Sequence, residues 1–159
     1  MSRPSQPSAW HRRLPVVVLS AGGLAVAAIL TLFQVGVFDS VWEPFFGDGS
    51  RQVLTSSLTK GLPVPDAALG AVAYLIETVL ELIGGRERWR NQPWVVLATG
   101  AVGAGLGLAA LCLIAVQALL VVAFCTLCLT SAAISLVIAA LVAPEALAAL
   151  RRLRERQRT

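Results

Sequence analysis

Two cysteines, Cys125 and Cys128, lie three positions apart in the segment Phe124-Cys125-Thr126-Leu127-Cys128. Thiols at this spacing on the first turn of a helix can form a disulfide, and a helix N-terminus favours the thiolate that disulfide exchange requires. A zinc site would need further ligands, and the single histidine, His11, lies near the N-terminus. The pair therefore predicts redox chemistry rather than metal binding. The alternative is two small hydrophobic residues that pack in a core.

The composition predicts the surroundings of this pair. Of the 159 residues, 57% are hydrophobic and 14% are charged, a ratio that a water-exposed surface could hardly accommodate. The sequence therefore predicts an integral membrane protein in contact with lipid. The net charge is +4, but the arginines flank apolar segments and form no patch interleaved with aromatic residues, so we expect no nucleic-acid partner. Three cysteines are too few for a secreted scaffold held by disulfides.

Four apolar segments are long enough to cross a membrane. The first is longer than the apolar core of a cleaved signal peptide, which is the alternative interpretation of this segment. The stretch from Trp94 to Ala143 is about 50 residues, too long for one crossing, so we expect it to fold back between Gln117 and Val122. Pro144 is the predicted stop of the last span. The predicted spans are residues 14–36, 67–84, 94–116 and 123–143.

The loop at residues 37–66 is the longest polar segment between spans, and it contains glycines and prolines typical of turns. Within it, Val53, Leu54 and Leu58 have helical spacing, which predicts a short amphipathic helix from Ser50 to Thr59. The sequence thus predicts an all-α membrane bundle of four transmembrane helices with a short loop helix. Gly103 and Gly107 form a G-x-x-x-G pattern, which we expect to pack helices inside this bundle; the alternative is a dimerisation surface.

The distribution of arginine predicts the orientation. Arginines concentrate in residues 1–13, 85–93 and 144–159, whereas the loop at 37–66 carries more acidic than basic residues. By the positive-inside rule, both termini are cytoplasmic tails, the loop is outside, and Cys125 and Cys128 lie at the outer face. We expect a multi-pass protein of a prokaryotic-type inner membrane.

Two acidic residues, Glu77 and Glu81, lie one turn apart in the second predicted span. Ionisable residues at membrane depth are functional candidates by default. One interpretation pairs Glu81 with Arg86 or Arg88 at the cytoplasmic interface and turns Glu77 into the bundle. The other is a proton relay.

Taken together, four spans, an outer loop between the first two, and F-C-x-x-C opening the fourth resemble the vitamin K epoxide reductase family of quinone-linked membrane thiol oxidoreductases. The loop strengthens the resemblance, because it contains a run of serines, a Gly-x-Pro and a glycine that opens the second span. These motifs are Val53-Leu54-Thr55-Ser56-Ser57, Gly61-Leu62-Pro63-Val64-Pro65 and Ala68-Leu69-Gly70. The similarity covers residues 14–143.

The resemblance implies specific roles. Cys125 and Cys128 would be the catalytic redox pair, with Cys128 facing the quinone, either menaquinone or ubiquinone, and with no metal. Ser56 would assist near the quinone carbonyl, with Ser57 as its rival. Asp66 occupies a position where a polar quinone contact is often found.

The chain also departs from the family's pattern. The family normally carries a second cysteine pair in the outer loop, which relays electrons from a thioredoxin-fold partner to the C-x-x-C. Residues 37–66 contain no cysteine, and Ser50 stands where the second of that pair would be expected. Ala132 stands where an aromatic hydroxyl is common in the family.

Three interpretations follow. In the first, the protein is a quinone-linked thiol-disulfide oxidoreductase, and a thioredoxin-fold protein on the outer face exchanges thiols directly with Cys125. In the second, it is a redox-inert membrane subunit that binds quinone or an apolar partner. In the third, Cys112 supplies an additional thiol, although a packed core cysteine is the simpler interpretation of that residue.

Overall fold

The computed structural model describes residues 8–56 and 65–158, with side chains to residue 155. These residues form α-helices and no strands, which confirms the predicted all-α class. A π-helical segment, Gln117–Val121, joins the last two long helices. The α-helices, in chain order, are α1 Trp10–Gln34, α2 Gly49–Leu54, α3 Asp66–Leu82, α4 Arg88–Asn91, α5 Pro93–Val116 and α6 Thr126–Arg158.

Within the described residues, three helical stretches are long and apolar enough to cross a membrane, namely Trp10–Gln34, Pro93–Val121 and Thr126–Glu155. The predicted span at 67–84 corresponds to α3, which has 17 residues. At about 1.5 Å per residue this helix is about 25 Å long, slightly shorter than a typical hydrocarbon core of about 30 Å. The predicted count of four spans is therefore not established by length and composition.

The four long helices pack as two pairs. Helix α1 lies along α3, α5 lies along α6, and contacts between α1 and α6 and between α3 and α5 join the pairs. Glycines permit the close approach of α5 to α6, because a Cβ atom at Gly103 would lie 2.6 Å from Val142 Cγ2 and one at Gly107 would lie 2.9 Å from Ala139 Cβ. The predicted packing role of these two glycines is confirmed.

The bundle has two distinct ends. At the cysteine end, Phe33, Val53 and Leu54 pack around Cys125 and Cys128. The opposite end, which we call the arginine end, contains four buried charged residues that contact one another: Arg13, Glu81, Arg88 and Glu145. Large apolar side chains are exposed on the outer surface of the long helices between these ends.

Two predicted boundaries are wrong. Pro144 does not end the last helix, because α6 continues through it to Arg158. A proline removes only one backbone donor from the helix. The next residue, Glu145, accepts hydrogen bonds from Arg88 and, at 2.5 Å, from the Ser8 hydroxyl, and these contacts hold this part of α6 in place. The predicted N-terminal tail is also too long, since α1 begins at Trp10 and Arg13 is buried within the bundle.

Candidate functional site

The chain reverses between α5 and α6 in a turn that holds the cysteine pair. After the π-helical segment, Val122 has a left-handed backbone with φ of 53°, an unfavourable conformation for a β-branched residue. Gln117, at the start of the turn, is buried, and its Oε1 accepts the backbone N–H of Cys125 at 3.0 Å. The fold-back was predicted between Gln117 and Val122, whereas the helical stretch continues to Val121 and the chain reverses at residues 122–125. The Gln117 side chain fixes the backbone of the first cysteine in this turn.

Cys125 immediately precedes α6 and acts as its N-cap. Its Sγ accepts the backbone N–H of Cys128 at 3.2 Å, and its carbonyl accepts the N–H of Leu129 at 2.9 Å. The prediction placed both cysteines on the first turn, whereas only Cys128 is within the helix. Both thiols are free and buried, and Cys125 is 0% exposed. This arrangement brings the two thiols together and gives Cys125 a donor for its sulfur.

The contacts of Cys125 favour its thiolate. Hydrogen bonding with the Cys128 side chain lowers the pKa of Cys125 to about 7, against the opposing effect of burial. The Ser50 hydroxyl and the Cys128 backbone N–H act in the same direction. The lowered pKa favours the Cys125 thiolate, the form that attacks disulfides.

Glu43 connects the loop helix α2 to the first residue of α6. Its carboxylate accepts the Thr126 backbone N–H at 2.9 Å and also binds the hydroxyls of Thr126 and Ser50. Burial raises the pKa of Glu43, but the hydrogen bonds from Ser50 and Thr126 outweigh it and hold the pKa below its usual value. Sequence reasoning missed this residue, because Glu43 and Thr126 are 83 positions apart.

The loop helix α2 covers Cys125. Gly49, its first residue, packs so tightly on the Phe124 carbonyl that a Cβ atom would collide with it. The Phe46 ring lies 5.6 Å from the Phe124 ring, and Ser50 is buried next to the thiol. In this conformation a thiol of another molecule cannot reach Cys125.

A cavity of about 480 Å³ lies between the four long helices at the cysteine end. Its walls are mostly apolar, and a few polar side chains converge on it, a combination typical of small-molecule sites. Cys128 lines the cavity whereas Cys125 does not. Two of the predicted assisting residues, Ser56 and Asp66, also line it. Ser57, the rival of Ser56, lies outside the described residues.

Asp66 is held in place at the first turn of α3. Gln34 at the end of α1 donates a hydrogen bond from Nε2 to Asp66 Oδ1 at 2.5 Å, and the Ala67 backbone N–H donates to the same oxygen at 3.0 Å. These two hydrogen bonds fix the carboxylate in the wall of the cavity.

Tyr74 supplies a phenol that the sequence analysis did not identify. Its hydroxyl donates to the Ser131 carbonyl at 2.7 Å and lies 2.7 Å from Ser135 Oγ, and all three residues line the cavity. Ala132, where the family commonly has an aromatic hydroxyl, is also on the wall. The chain thus places an aromatic hydroxyl in the cavity from α3 rather than from α6. Gly23 was the available signal, since only a glycine there leaves room for the Tyr74 ring.

Cys112 does not behave as a packed core residue. Its side chain is exposed on the bundle surface and also borders the cavity. The interpretation of Cys112 as a core cysteine is therefore wrong. No contact joins it to Cys125 or Cys128 among the hydrogen bonds of the described residues.

The buried charges at the arginine end form an ion-pair network. Arg88 binds Glu81 at 2.9 Å and Glu145 at 2.7 Å, and Arg13 binds Glu81 at 3.2 Å. Pairing of Glu81 with Arg88 was one of the predicted alternatives and is confirmed, but the part played by Arg13 and Glu145 was not foreseen. Glu77, one turn from Glu81, is buried with no hydrogen-bond partner among the described residues.

In the described part of the chain, no three His, Cys, Asp or Glu side chains lie close enough together to bind a metal ion. The features at the cysteine end are instead two adjacent thiols and an apolar cavity that one of them borders.

Comparison with known proteins gives one family match. The model of the family described as "Vitamin K epoxide reductase family" matches residues 14–143, most of the chain. No curated protein matches the chain.

Proposed function

The chain belongs to the vitamin K epoxide reductase family, and from this we infer that it is a membrane thiol-disulfide oxidoreductase linked to quinone, with Cys125 and Cys128 as its redox pair. The observation that supports this proposal is that the two thiols have different surroundings. Cys128 borders the cavity, while Cys125, with the lowered pKa, lies behind it under the loop helix. In this proposal Cys128 would face the acceptor and Cys125 would take part in thiol exchange.

The reaction we propose transfers two electrons. As the Cys125–Cys128 disulfide forms, the two thiols lose two electrons and two protons, and a bound quinone accepts an equal number. A partner thiolate then attacks Cys125 Sγ, the disulfide breaks, and Cys128 takes up a proton. The partner's second thiolate displaces Cys125, which its low pKa makes a good leaving group. The pair is then reduced again.

The cavity fits a quinone in size and chemistry. Its volume of about 480 Å³ suits a substituted ring, and its apolar walls suit the ring face and the start of an isoprenoid tail. Ser56, Asp66 and Tyr74 would contact the carbonyl oxygens, with Cys128 beside the ring. The closed turn and the loop helix would keep water from the thiols.

We propose that α3 is the fourth membrane span. Its exposed face carries Leu69, Val72 and Val79, whereas Tyr74 and Glu77 point into the bundle. An apolar exterior with buried polar groups is typical of a helix that packs in lipid. The arginine distribution then places both termini in the cytoplasm and the loop at 37–66 on the outer face of a prokaryotic-type inner membrane.

The electron donor would be a thioredoxin-fold protein on the outer face. Because the loop has no cysteine, this donor would exchange thiols with Cys125 directly. Since Gly49 and Ser50 cover that thiol, α2 must move away during the exchange. The contacts of Glu43 with Ser50 and Thr126 are the ones that such a movement would break.

The complete burial of Cys125 favours a second candidate function. If α2 never moves, the protein would be a redox-inert subunit that binds quinone or an apolar partner in the cavity. The two functions differ in whether quinol is formed.

Steady-state quinol formation separates them. Purified protein in lipid nanodiscs is supplied with a dithiol and a short-chain quinone, and quinol is followed by absorbance. We expect turnover that is lost in Cys128→Ser and retained in the control Thr130→Ala, at an exposed position of the same helix outside the cavity. Equal rates for wild type and Cys128→Ser would remove the oxidoreductase proposal and leave the redox-inert one.

A further inference from the structure

Glu77 is the buried ionisable residue for which neither the packing nor the proposed reaction accounts. It is 0% exposed, and neither of its carboxyl oxygens has a hydrogen-bond partner in the described part of the chain. Its neighbour on α5 is Gly103, where a Cβ atom would lie 3.7 Å from Glu77 Oε1. Buried polar groups are nearly always paired, so an unpaired carboxyl in the middle of a membrane helix calls for a functional explanation.

Three polar residues line the inner face of α3. Tyr74, Glu77 and Glu81 follow one another at spacings of three and four, and each is at most 1% exposed. Helical side chains lean toward the N-terminus of their helix. In α3 that direction runs from the arginine end to the cysteine end, so Glu81 leans toward Glu77 and Glu77 toward Tyr74.

The two ends of this row have different surroundings. At one end, Glu81 receives hydrogen bonds from Arg13 of α1 and from Arg88, which also binds Glu145 of α6. At the other end, the Tyr74 hydroxyl borders the cavity and pairs with Ser135. Helix α5 contributes no ionisable group to this region, because its only titratable residue, Cys112, lies near the opposite end. Glu77 is therefore the only ionisable group between the ion pairs and the cavity among the described residues.

We propose that Glu81, Glu77 and Tyr74 form a route that carries a proton from the arginine end of the bundle to the ligand in the cavity. This proposal rests on the proposed function. Per turnover, the two thiols lose two electrons and two protons as the disulfide forms. One thiol proton and one proton from this route supply the two that the quinone takes up. The second thiol proton is released at the cysteine end, so that atoms and charge balance.

The ion pairs that hold the arginine end together do not account for Glu77. Arg13, Arg88, Glu81 and Glu145 satisfy one another without Glu77, so the ion-pair network does not need it. An apolar residue of similar size would fill the same space without leaving polar atoms unpaired. A carboxyl in this position adds one property, the ability to bind and release a proton between two hydrogen-bonded groups.

A first test needs no quinone. Infrared spectra of the purified, reduced protein in lipid nanodiscs are recorded after transfer to D₂O. The carboxyl carbonyl band that disappears in Glu77→Gln is assigned to Glu77. The shift of this band in D₂O measures how fast the Glu77 proton exchanges. We expect rapid exchange in wild type and much slower exchange in Glu81→Gln, which cuts the entry of the route. The matched control is Glu87→Gln, at an exposed acidic residue of the same end. A band that survives in Glu77→Gln, or exchange at the same rate in Glu81→Gln, would overturn the proposal.

Quinol formation supplies the second test and does not depend on the folding of Glu81→Gln. Both Glu77→Gln and Tyr74→Phe should lower kcat by about 100-fold or more with little change in KM, since one protonatable group commonly contributes at least that much. Glu77→Asp should restore most of the rate, which a packing role would not predict. Wild-type kcat in Glu77→Gln refutes the route and leaves the proposed function standing. Absence of quinol from the wild-type protein refutes the function and with it the delivery of protons to a quinone.

Discussion

Cys125 Sγ lies 3.2 Å from the backbone nitrogen of Cys128, so the first cysteine is the N-cap of the helix that contains the second. The same contact that starts α6 also stabilises a negative charge on sulfur, because the N–H and the positive end of the helix dipole face the thiolate. Helix capping and thiol activation therefore share this contact, which acts beside the hydrogen bonds of the Cys128 side chain and the Ser50 hydroxyl with the Cys125 thiol.

The first prediction concerns the pH dependence of Cys125 alkylation. Because hydrogen bonding by Cys128 lowers the pKa of Cys125 to about 7, the alkylation rate should rise with pH and reach half its maximum near pH 7. In Cys128→Ala the midpoint should move up toward the ordinary thiol value of about 8.5. The measurement is labelling by iodoacetamide, quantified by mass spectrometry. A midpoint unchanged by Cys128→Ala would contradict the role assigned to the second thiol.

The second prediction concerns Glu43. Glu43→Gln removes a charged acceptor from Thr126 and Ser50, which should destabilise the fold by about 1–3 kcal/mol and release α2 from Cys125. Alkylation of Cys125 at fixed pH should become faster because the thiol is uncovered. Asp48→Asn, at an exposed position next to the same helix, is the control and should leave both properties unchanged. Equal labelling rates in the two variants would show that Glu43 does not hold the loop helix down.

The third prediction uses the position of Ser50. Its hydroxyl contacts the Cys125 thiol, so Ser50→Cys should form a disulfide with Cys125 under mild oxidation. Peptide mapping without reductant detects this bond. Thr55→Cys, on an exposed face at the end of the same helix, serves as the control and should stay free. If both introduced thiols remain unpaired, Ser50 is not adjacent to the redox pair.

The fourth prediction concerns helix packing. Gly103→Ala would press a methyl group against Val142 Cγ2, an overpacking that should cost about 1–3 kcal/mol. Gly105→Ala on the same helix meets no atom within 4 Å and should have little effect. Thermal unfolding in detergent compares the two variants. A loss of stability in Gly105→Ala equal to that in Gly103→Ala would mean that α5 does not approach α6 through Gly103.

Local sequence patterns predicted much of the fold. Long apolar segments became helices, and Gln117, a polar side chain in an otherwise apolar stretch, lies five residues before the reversal that begins at Val122. Pro144 was misleading. It lacks a backbone donor, but contacts from Arg88 and Ser8 to Glu145 stabilise the helix at this point, and the sequence does not reveal these contacts.

The candidate site was only partly predictable. Cys128, Ser56 and Asp66, taken from motif positions, line one cavity. Glu43 and Tyr74 were missed because their partners are 83 and 57–61 positions away, and no local pattern records such contacts. Their importance depends on how the loop and α3 pack against α6.

The most direct measurement counts thiols and quinol in one turnover. Reduced protein in nanodiscs is mixed with excess quinone, then denatured and labelled with a thiol-reactive mass tag. We predict that the number of free thiols falls from the three of the sequence to one, that the survivor is Cys112, and that one quinol appears per protein. If all three thiols remain free while quinone is bound, Cys125 and Cys128 are not a redox pair, and the account of this protein as an oxidoreductase is wrong.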